Sequence, residues 1–217
     1  MSASAGRIGP NAITQMAAAL EAAIGSSLTR RLFTEAGLDA HLQAPPEAMV
    51  DERDVTALHR TMRRHIGLEP AEGIHHAAGR ATGDYLLAHR IPLPAQRLLR
   101  ILPARWSARL LAVAIRRSAW TFTGSGRLRI EWGSWPAFVL EDCPLCRGAR
   151  EARPCCSYFA ATFSRLYERL VSPDIVVHEI RCAAMGMPHC RFELSRCNEP
   201  GPAGGRGGNR RLTARRS

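Results

Sequence analysis

The chain has 217 residues, 46% hydrophobic, 23% charged and 6% aromatic, which is enough for one substantial core. Its basic side chains are all arginine, 30 against 19 acids for a net charge of +11, so lysine chemistry is excluded, whether a Schiff base or a phosphate-gripping lysine. The longest unbroken apolar run, Leu110 to Ile115, is far below the roughly 18–20 residues of a membrane span, and the N-terminus lacks a basic stub followed by an apolar stretch. A cytoplasmic protein without a transmembrane helix or signal peptide is expected.

Asn11 to Ile24 sets Ile13, Met16, Ala17, Leu20 and Ile24 at helical spacing behind Pro10, and Gly25 closes the segment. Ser27 to Ala36 reads as a second helix stopped by Gly37, and Pro45-Pro46 marks a linker. Asp51 to Ile66 carries Val55, Leu58, Met62 and Ile66 on one face and ends at Gly67. Pro70 to Ala88, Pro94 to Leu102 and Pro103 to Ala119 read as three more helices, each opened by the proline that a first turn tolerates. Residues 1–119 therefore form a helical N-terminal region.

The period then changes from 3.6 to 2. Trp120 and Phe122 alternate with Thr121 and Thr123, Gly124-Ser125-Gly126 turns the chain, and Leu128, Ile130 and Trp132 alternate with Arg127, Arg129 and Glu131, which predicts a hairpin. Phe138 and Leu140 suggest a third strand ending at Glu141. A helix follows from Pro154, with Phe159, Phe163, Leu166 and Leu170 on one face, then strands over Ile175 to Ile180 and Cys190 to Ser195. The fold class is α+β: a helical part packed on a small antiparallel-sheet domain, residues 120–197, with flanking helices. Residues 198–217 are expected to be a disordered basic tail. Gly201 to Ser217 holds five arginines, no acid and almost nothing apolar except Leu212, so it cannot fold alone. It reads as a solvated terminus, with contact to an anionic membrane surface and a peripheral location as its functional reading; its lone Gly-Gly-Arg-Gly-Gly stretch gives no reason to expect nucleic acid.

All seven cysteines fall in the last third of the chain, which favours metal over disulfides in a reducing compartment. Cys182 and Cys190 flank a seven-residue turn between strands and should face one another, Glu179 precedes Cys182 by three, and Cys156 stands in the first turn of the preceding helix. Three thiolates and a carboxylate can close a tetrahedral shell around a structural zinc. Glu179 and Cys182 point to opposite faces of an ideal strand, so the chain must bulge or turn between them. For Cys143-Pro-Leu-Cys146, ligand and small buried hydrophobe stand level.

The stretch from His178 to Leu194 resembles the Glu-x-x-Cys-x-x-x-Gly-x-x-x-Cys-x-Phe signature of the 4-vinyl reductase domain family, which also supplies the sensory part of aromatic-responsive activators and resembles vesicle-tethering transport-particle subunits in fold. The resemblance implies zinc held by Cys156, Glu179, Cys182 and Cys190. Gly6 to Ile13, Gly79 to Pro92 and Ala119 to Gly126 are similar to the bacteriochlorophyll-biosynthesis members of the family. That similarity implies a magnesium tetrapyrrole of the divinyl (proto)chlorophyllide type, service in its 8-vinyl reduction, and other pathway enzymes as partners; a homodimer is the expected assembly.

Reduction of a vinyl group needs a hydride or electron donor. No NAD, flavin or iron–sulfur site is readable: Gly124-Ser125-Gly126 sits between two expected strands, and three cysteines outside the zinc set are too few for a four-cysteine cluster. A non-catalytic carrier or presenting subunit thus stands beside the reductase, and an aromatic sensor behind both, since no ATPase or DNA-binding region follows. For the pigment, His75, Gly79 and Gly83 share one helix side, with His75 or His76 as axial ligand and Arg80 or Arg90 pairing with the propionate. The alternative for that side is close helix packing.

Overall fold

The computed structural model describes residues 6–197, so the expected tail over 198–217 lies outside the described residues. Strand β1 (Arg7–Ile8) leads into α1 (Asn11–Glu35), which breaks at Gly25, where φ of 80° interrupts the helical backbone, so the two expected N-terminal helices are consecutive. After α2 (Asp39–Gln43), β2 (Val50–Asp51) pairs antiparallel with β1. A two-residue strand is too short to leave a period in the sequence. Helix α3 (Glu52–Ile66) starts where the Asp51 carboxylate accepts from Arg53 N at 2.8 Å and ends at Gly67, whose φ of 80° suits glycine. Helices α4 (Leu68–His89), α5 (Leu93–Ile101) and α6 (Ala104–Arg117) complete the helical part.

The second part is a four-stranded antiparallel sheet in the order β3-β4-β6-β5, with β3 (Arg127–Glu131), β4 (Ala137–Glu141), β5 (Ile175–Arg181) and β6 (Cys190–Arg196). The sequence-predicted first hairpin is corrected here. Residues 120–123 form no strand; Ala119–Thr121 is a single 3₁₀ turn, and the hairpin is β3 with β4. The alternating threonines account for the difference, because Thr121 Oγ1 donates to Ser118 O (2.7 Å) and Thr123 Oγ1 to Ala119 O (3.0 Å). These local side-chain bonds extend the turn after α6 and compete with a ladder.

Helix α7 (Ser157–Leu170) lies between the two parts. Toward the sheet its Phe159 and Phe163 meet Phe192 and Phe138, with ring centroids 4.8–6.3 Å apart. Burial of each such ring contributes about 2–3 kcal/mol. Toward the helices it crosses α4 at Gly79 and Gly83. A Cβ on Gly79 would stand 2.3 Å from Tyr158 O, and one on Gly83 2.7 Å from Arg165 Cβ. The glycine side that sequence reading offered to a macrocycle is therefore filled by α7, and Thr162 Oγ1 donates to Gly79 O across it at 3.0 Å.

Gly79→Ala is expected to lower the unfolding free energy by about 1–3 kcal/mol, since backbone must give way. Gly73→Ala, at a position of α4 with open space around its Cβ, is expected to raise it by up to about 1 kcal/mol. Urea unfolding of the two variants checks the pair; equal effects would mean that the crossing does not constrain Gly79.

Candidate metal centre and apolar cavity

Three chain segments deliver cysteines to one buried point. Beyond β4 the chain turns at Asp142, which has φ of 51°, and Ala149 N bonds to Cys146 O at 3.0 Å, directing Cys143 and Cys146 inward. Cys155 and Cys156 arrive just before α7. Between β5 and β6, the register shifts between Glu179 and Arg181, which supplies the bulge that strand parity demands. Cys182 then precedes a 3₁₀ turn, and Cys190 opens β6. All six sulfurs are buried, whereas Cys197 is exposed.

The Sγ atoms stand in mutual contact: Cys143 to Cys156 and Cys146 to Cys190 at 3.5 Å, Cys156 to Cys190 and Cys182 to Cys190 at 3.8 Å, Cys156 to Cys182 at 3.9 Å. Glu179 joins them, its Oε2 accepting from Cys156 N at 2.7 Å. Its Oε1 has no hydrogen-bond partner among the described residues. Burial pushes the Glu179 carboxyl well up and the Cys143 and Cys156 thiols up as well. Such a group of acids stays protonated unless a cation compensates, and an orphaned carboxylate oxygen among thiols is a soft-metal donor set. Two sets of four have all ligand atoms within 4.8 Å of one another: Cys156, Glu179, Cys182 and Cys190, and Cys143, Cys146, Cys156 and Cys190. Either set can hold a metal ion. Sequence reading named the first and left Cys143 and Cys146 open.

A second feature lies between the helical part and α7. A cavity of about 540 Å³ is walled by apolar side chains, among them Leu86, Leu111, Ile115, Phe122, Phe159 and Phe163. Arg90 is the one charged residue of its wall among the described residues, and it is exposed. Polar edges come from Asn11, Ser118 and the paired Thr82 and Tyr158 hydroxyls, 2.8 Å apart.

Of the six residues that sequence reading assigned to pigment, only Arg90 reaches this cavity. His76 is exposed outside it, Arg80 pairs with Glu168 at 3.0 Å, and Gly79 and Gly83 contact α7. His75 is buried beside His59, ring centroids 4.5 Å apart, and burial followed by the charge of Arg63 pushes its pKa down to about 3. Sequence reading missed this buried polar group of His59, Arg63 and His75, in which both His59 nitrogens, both Arg63 Nη atoms and His75 Nε2 lack partners among the described residues. Arg63 sits in a run of charged residues that looks solvent-facing until Glu151, 3.4 Å away, is brought to it. The cavity walls were equally hidden, because they come from five separate segments.

Residues 136–196 match the 4-vinyl reductase domain. Over 188 residues the chain is 45% identical to the bacteriochlorophyll synthase 23 kDa chain of Cereibacter sphaeroides, covering 87% of this chain and 90% of that one. Among solved structures, an H-NOX protein mutant from K. algicida superposes with a TM-score of 0.55 at 10% identity, over 87% of this chain and 96% of that one. A structure described as probing heme distortion in the H-NOX family gives 0.52 at 12% identity, over 88% and 96%. These two share the fold.

Adding zinc to metal-free protein is expected to raise the melting temperature by several degrees, and Glu179→Ala to reduce that gain. A gain unchanged in the variant would take Glu179 out of the donor set. His75 generates a pH dependence. Its pKa is about 3 folded and near 6.5 unfolded, so the unfolded state binds the extra proton between those values. The stability is complete above about pH 6.5 and is lost as pH falls toward 3. With chelator throughout, urea unfolding between about pH 4.5 and 6 should show a pH slope smaller in His75→Leu than in wild type by up to about 1.4 kcal/mol per pH unit.

Proposed function

The chain belongs to the family of the bacteriochlorophyll synthase 23 kDa chain, and from that membership we propose that it serves bacteriochlorophyll biosynthesis by holding a magnesium tetrapyrrole of the divinyl (proto)chlorophyllide type for reduction of its 8-vinyl group. The observation that carries the proposal is the apolar cavity with a single guanidinium in its wall. A chlorophyllide is a flat apolar ring with one carboxylate arm, and the site offers greasy walls for the ring and Arg90 for the propionate. About 540 Å³ lies within the range of ligand pockets. Thr82, Tyr158, Asn11 and Ser118 supply oxygen or amide groups for magnesium and the ring carbonyls. The heme named for the H-NOX family, whose fold this chain shares, is likewise a tetrapyrrole.

Presentation to a partner enzyme, with the partner supplying the reductant, fits this chain's glycine turn. At Gly124-Ser125-Gly126 the Ser125 N–H donates to Glu52 Oε2 at 2.8 Å, so a carboxylate sits where a dinucleotide phosphate would have to bind. The role of the metal is structural: zinc on Cys156, Glu179, Cys182 and Cys190 would tie the start of α7 to the β5–β6 turn and so fix the helix that walls the cavity.

Titration of purified protein with magnesium divinyl protochlorophyllide should give a saturable shift of the pigment absorption. Arg90→Gln is expected to weaken binding about tenfold, a loss of about 1.4 kcal/mol, and Ala114→Trp, at an exposed helix position in the wall, to abolish it without lowering the melting temperature. Added NADPH should leave the 8-vinyl group intact. No absorption shift would overturn the pigment reading, and monovinyl product from the purified chain would make it the reductase itself.

A further inference from the structure

The two donor sets share Cys156 and Cys190, and we propose that the cluster is a binuclear zinc centre in which these two thiolates bridge. The inference rests on the zinc reading of Cys156, Glu179, Cys182 and Cys190 and adds a second ion held by Cys143, Cys146 and the same bridges. Thiolates about 2.3 Å from a tetrahedral ion stand about 3.8 Å apart. The shared edge, Cys156 to Cys190, is 3.8 Å. On one side Cys182 completes a face at 3.8 and 3.9 Å, with Glu179 as fourth ligand. On the other, Cys143 and Cys146 each stand 3.5 Å from one bridging sulfur.

Charge favours the second ion too. It adds two thiolates and two positive charges, so the buried net charge is the same with two ions as with one. Without it, two buried thiols would crowd a thiolate site that has no proton to share with them. The non-glycine backbone at φ of 51° on Asp142 holds Cys143 and Cys146 on this side, which is a cost that ligation offsets. Cys155 belongs to neither set.

Native mass spectrometry of the full chain from zinc-supplemented cells should show two zinc ions per chain. Cys143→Ser with Cys146→Ser should leave one, and Cys155→Ser should leave two. Exchange of zinc for ¹¹³Cd in the unmodified chain should give two ¹¹³Cd resonances coupled to each other through the bridging sulfurs. One ion in wild type, unchanged in the double variant, overturns the second site while the first stands. Two uncoupled resonances overturn the bridging. No metal at all overturns the zinc reading itself.

An independent observation concerns the outer face of α5 and α6. Residues 85–130 contain nine arginines and no acid. Arg97, Arg100, Arg105, Arg109, Arg116 and Arg117 are exposed, and none of the six makes an ion pair with a carboxylate among the described residues. Between them Ile101 is 79% exposed, Trp106 70% and Leu93 65%, with Leu98 and Leu110 also exposed. Apolar side chains interleaved with unpaired guanidiniums match an anionic bilayer surface, whose headgroups take the charge and whose acyl boundary takes the rings and alkyl groups. We infer that this face docks on anionic lipid. Helix α6 also walls the cavity and the exposed Trp120 lies in that wall, so docking would bring the cavity to the membrane.

The full chain should co-sediment with phosphatidylglycerol-containing vesicles at low salt, at least tenfold less at high salt, and not with pure phosphatidylcholine. Ile101→Ser with Trp106→Ser should reduce vesicle binding at least tenfold at an unchanged melting temperature. Binding that survives these substitutions overturns the inference, as does a face that binds a protein partner but no vesicle.

Discussion

The crossing of α4 and α7 is the constraint on which the rest of the structure depends. Glycine at 79 lets the two backbones approach until Tyr158 O lies where a Cβ would be, and Thr162 bonds to the Gly79 carbonyl across the gap. That contact fixes α7, and α7 serves two sites at once. Its first residues follow Cys156, a member of both donor sets. One turn on, Tyr158, Phe159, Thr162 and Phe163 wall the cavity.

This coupling has a physical consequence for how metal and cavity relate. Metal ligands gathered from the β4–α7 turn, the helix start and the β5–β6 turn hold segments that hydrophobic packing alone would hold less firmly, because each is a short turn with few apolar contacts. The bulge at Glu179 belongs to the same economy of geometry: an extra half-step in one strand turns a carboxylate toward the sulfurs that strand alternation would otherwise keep apart. The unpartnered Oε1 of Glu179 and the unpartnered nitrogens of His59, Arg63 and His75 mark the two buried places where polar groups face the interior without protein partners.

The cavity and the arginine-rich α5–α6 face show a division between interior and exterior chemistry. Inside, one guanidinium stands in an apolar wall; outside, guanidiniums dominate and the acids lie elsewhere. A chain with arginine as its sole strong base keeps these charges at any physiological pH, so both features are insensitive to the protonation that tunes the buried histidines.

By itself the sequence determined the helices of the first 119 residues, the α+β class, strands over 138–141, 175–180 and 190–195, and the metal-ligand spacing of Glu179, Cys182 and Cys190, because periodicity, proline, glycine and short spacing are local signals. Local signals also misled it. Trp120 to Thr123 alternates like a strand, yet its threonines bond back to the turn after α6; the Gly79 and Gly83 side looked open, yet a helix from far along the chain fills it. Only the tertiary structure decided that Cys143 and Cys146 join the other thiols, that Arg90 alone of the six pigment candidates reaches the cavity, and that Arg63 is buried. In each case the deciding contact joins residues distant in sequence, and no single segment contains the information about what another segment will bring against it.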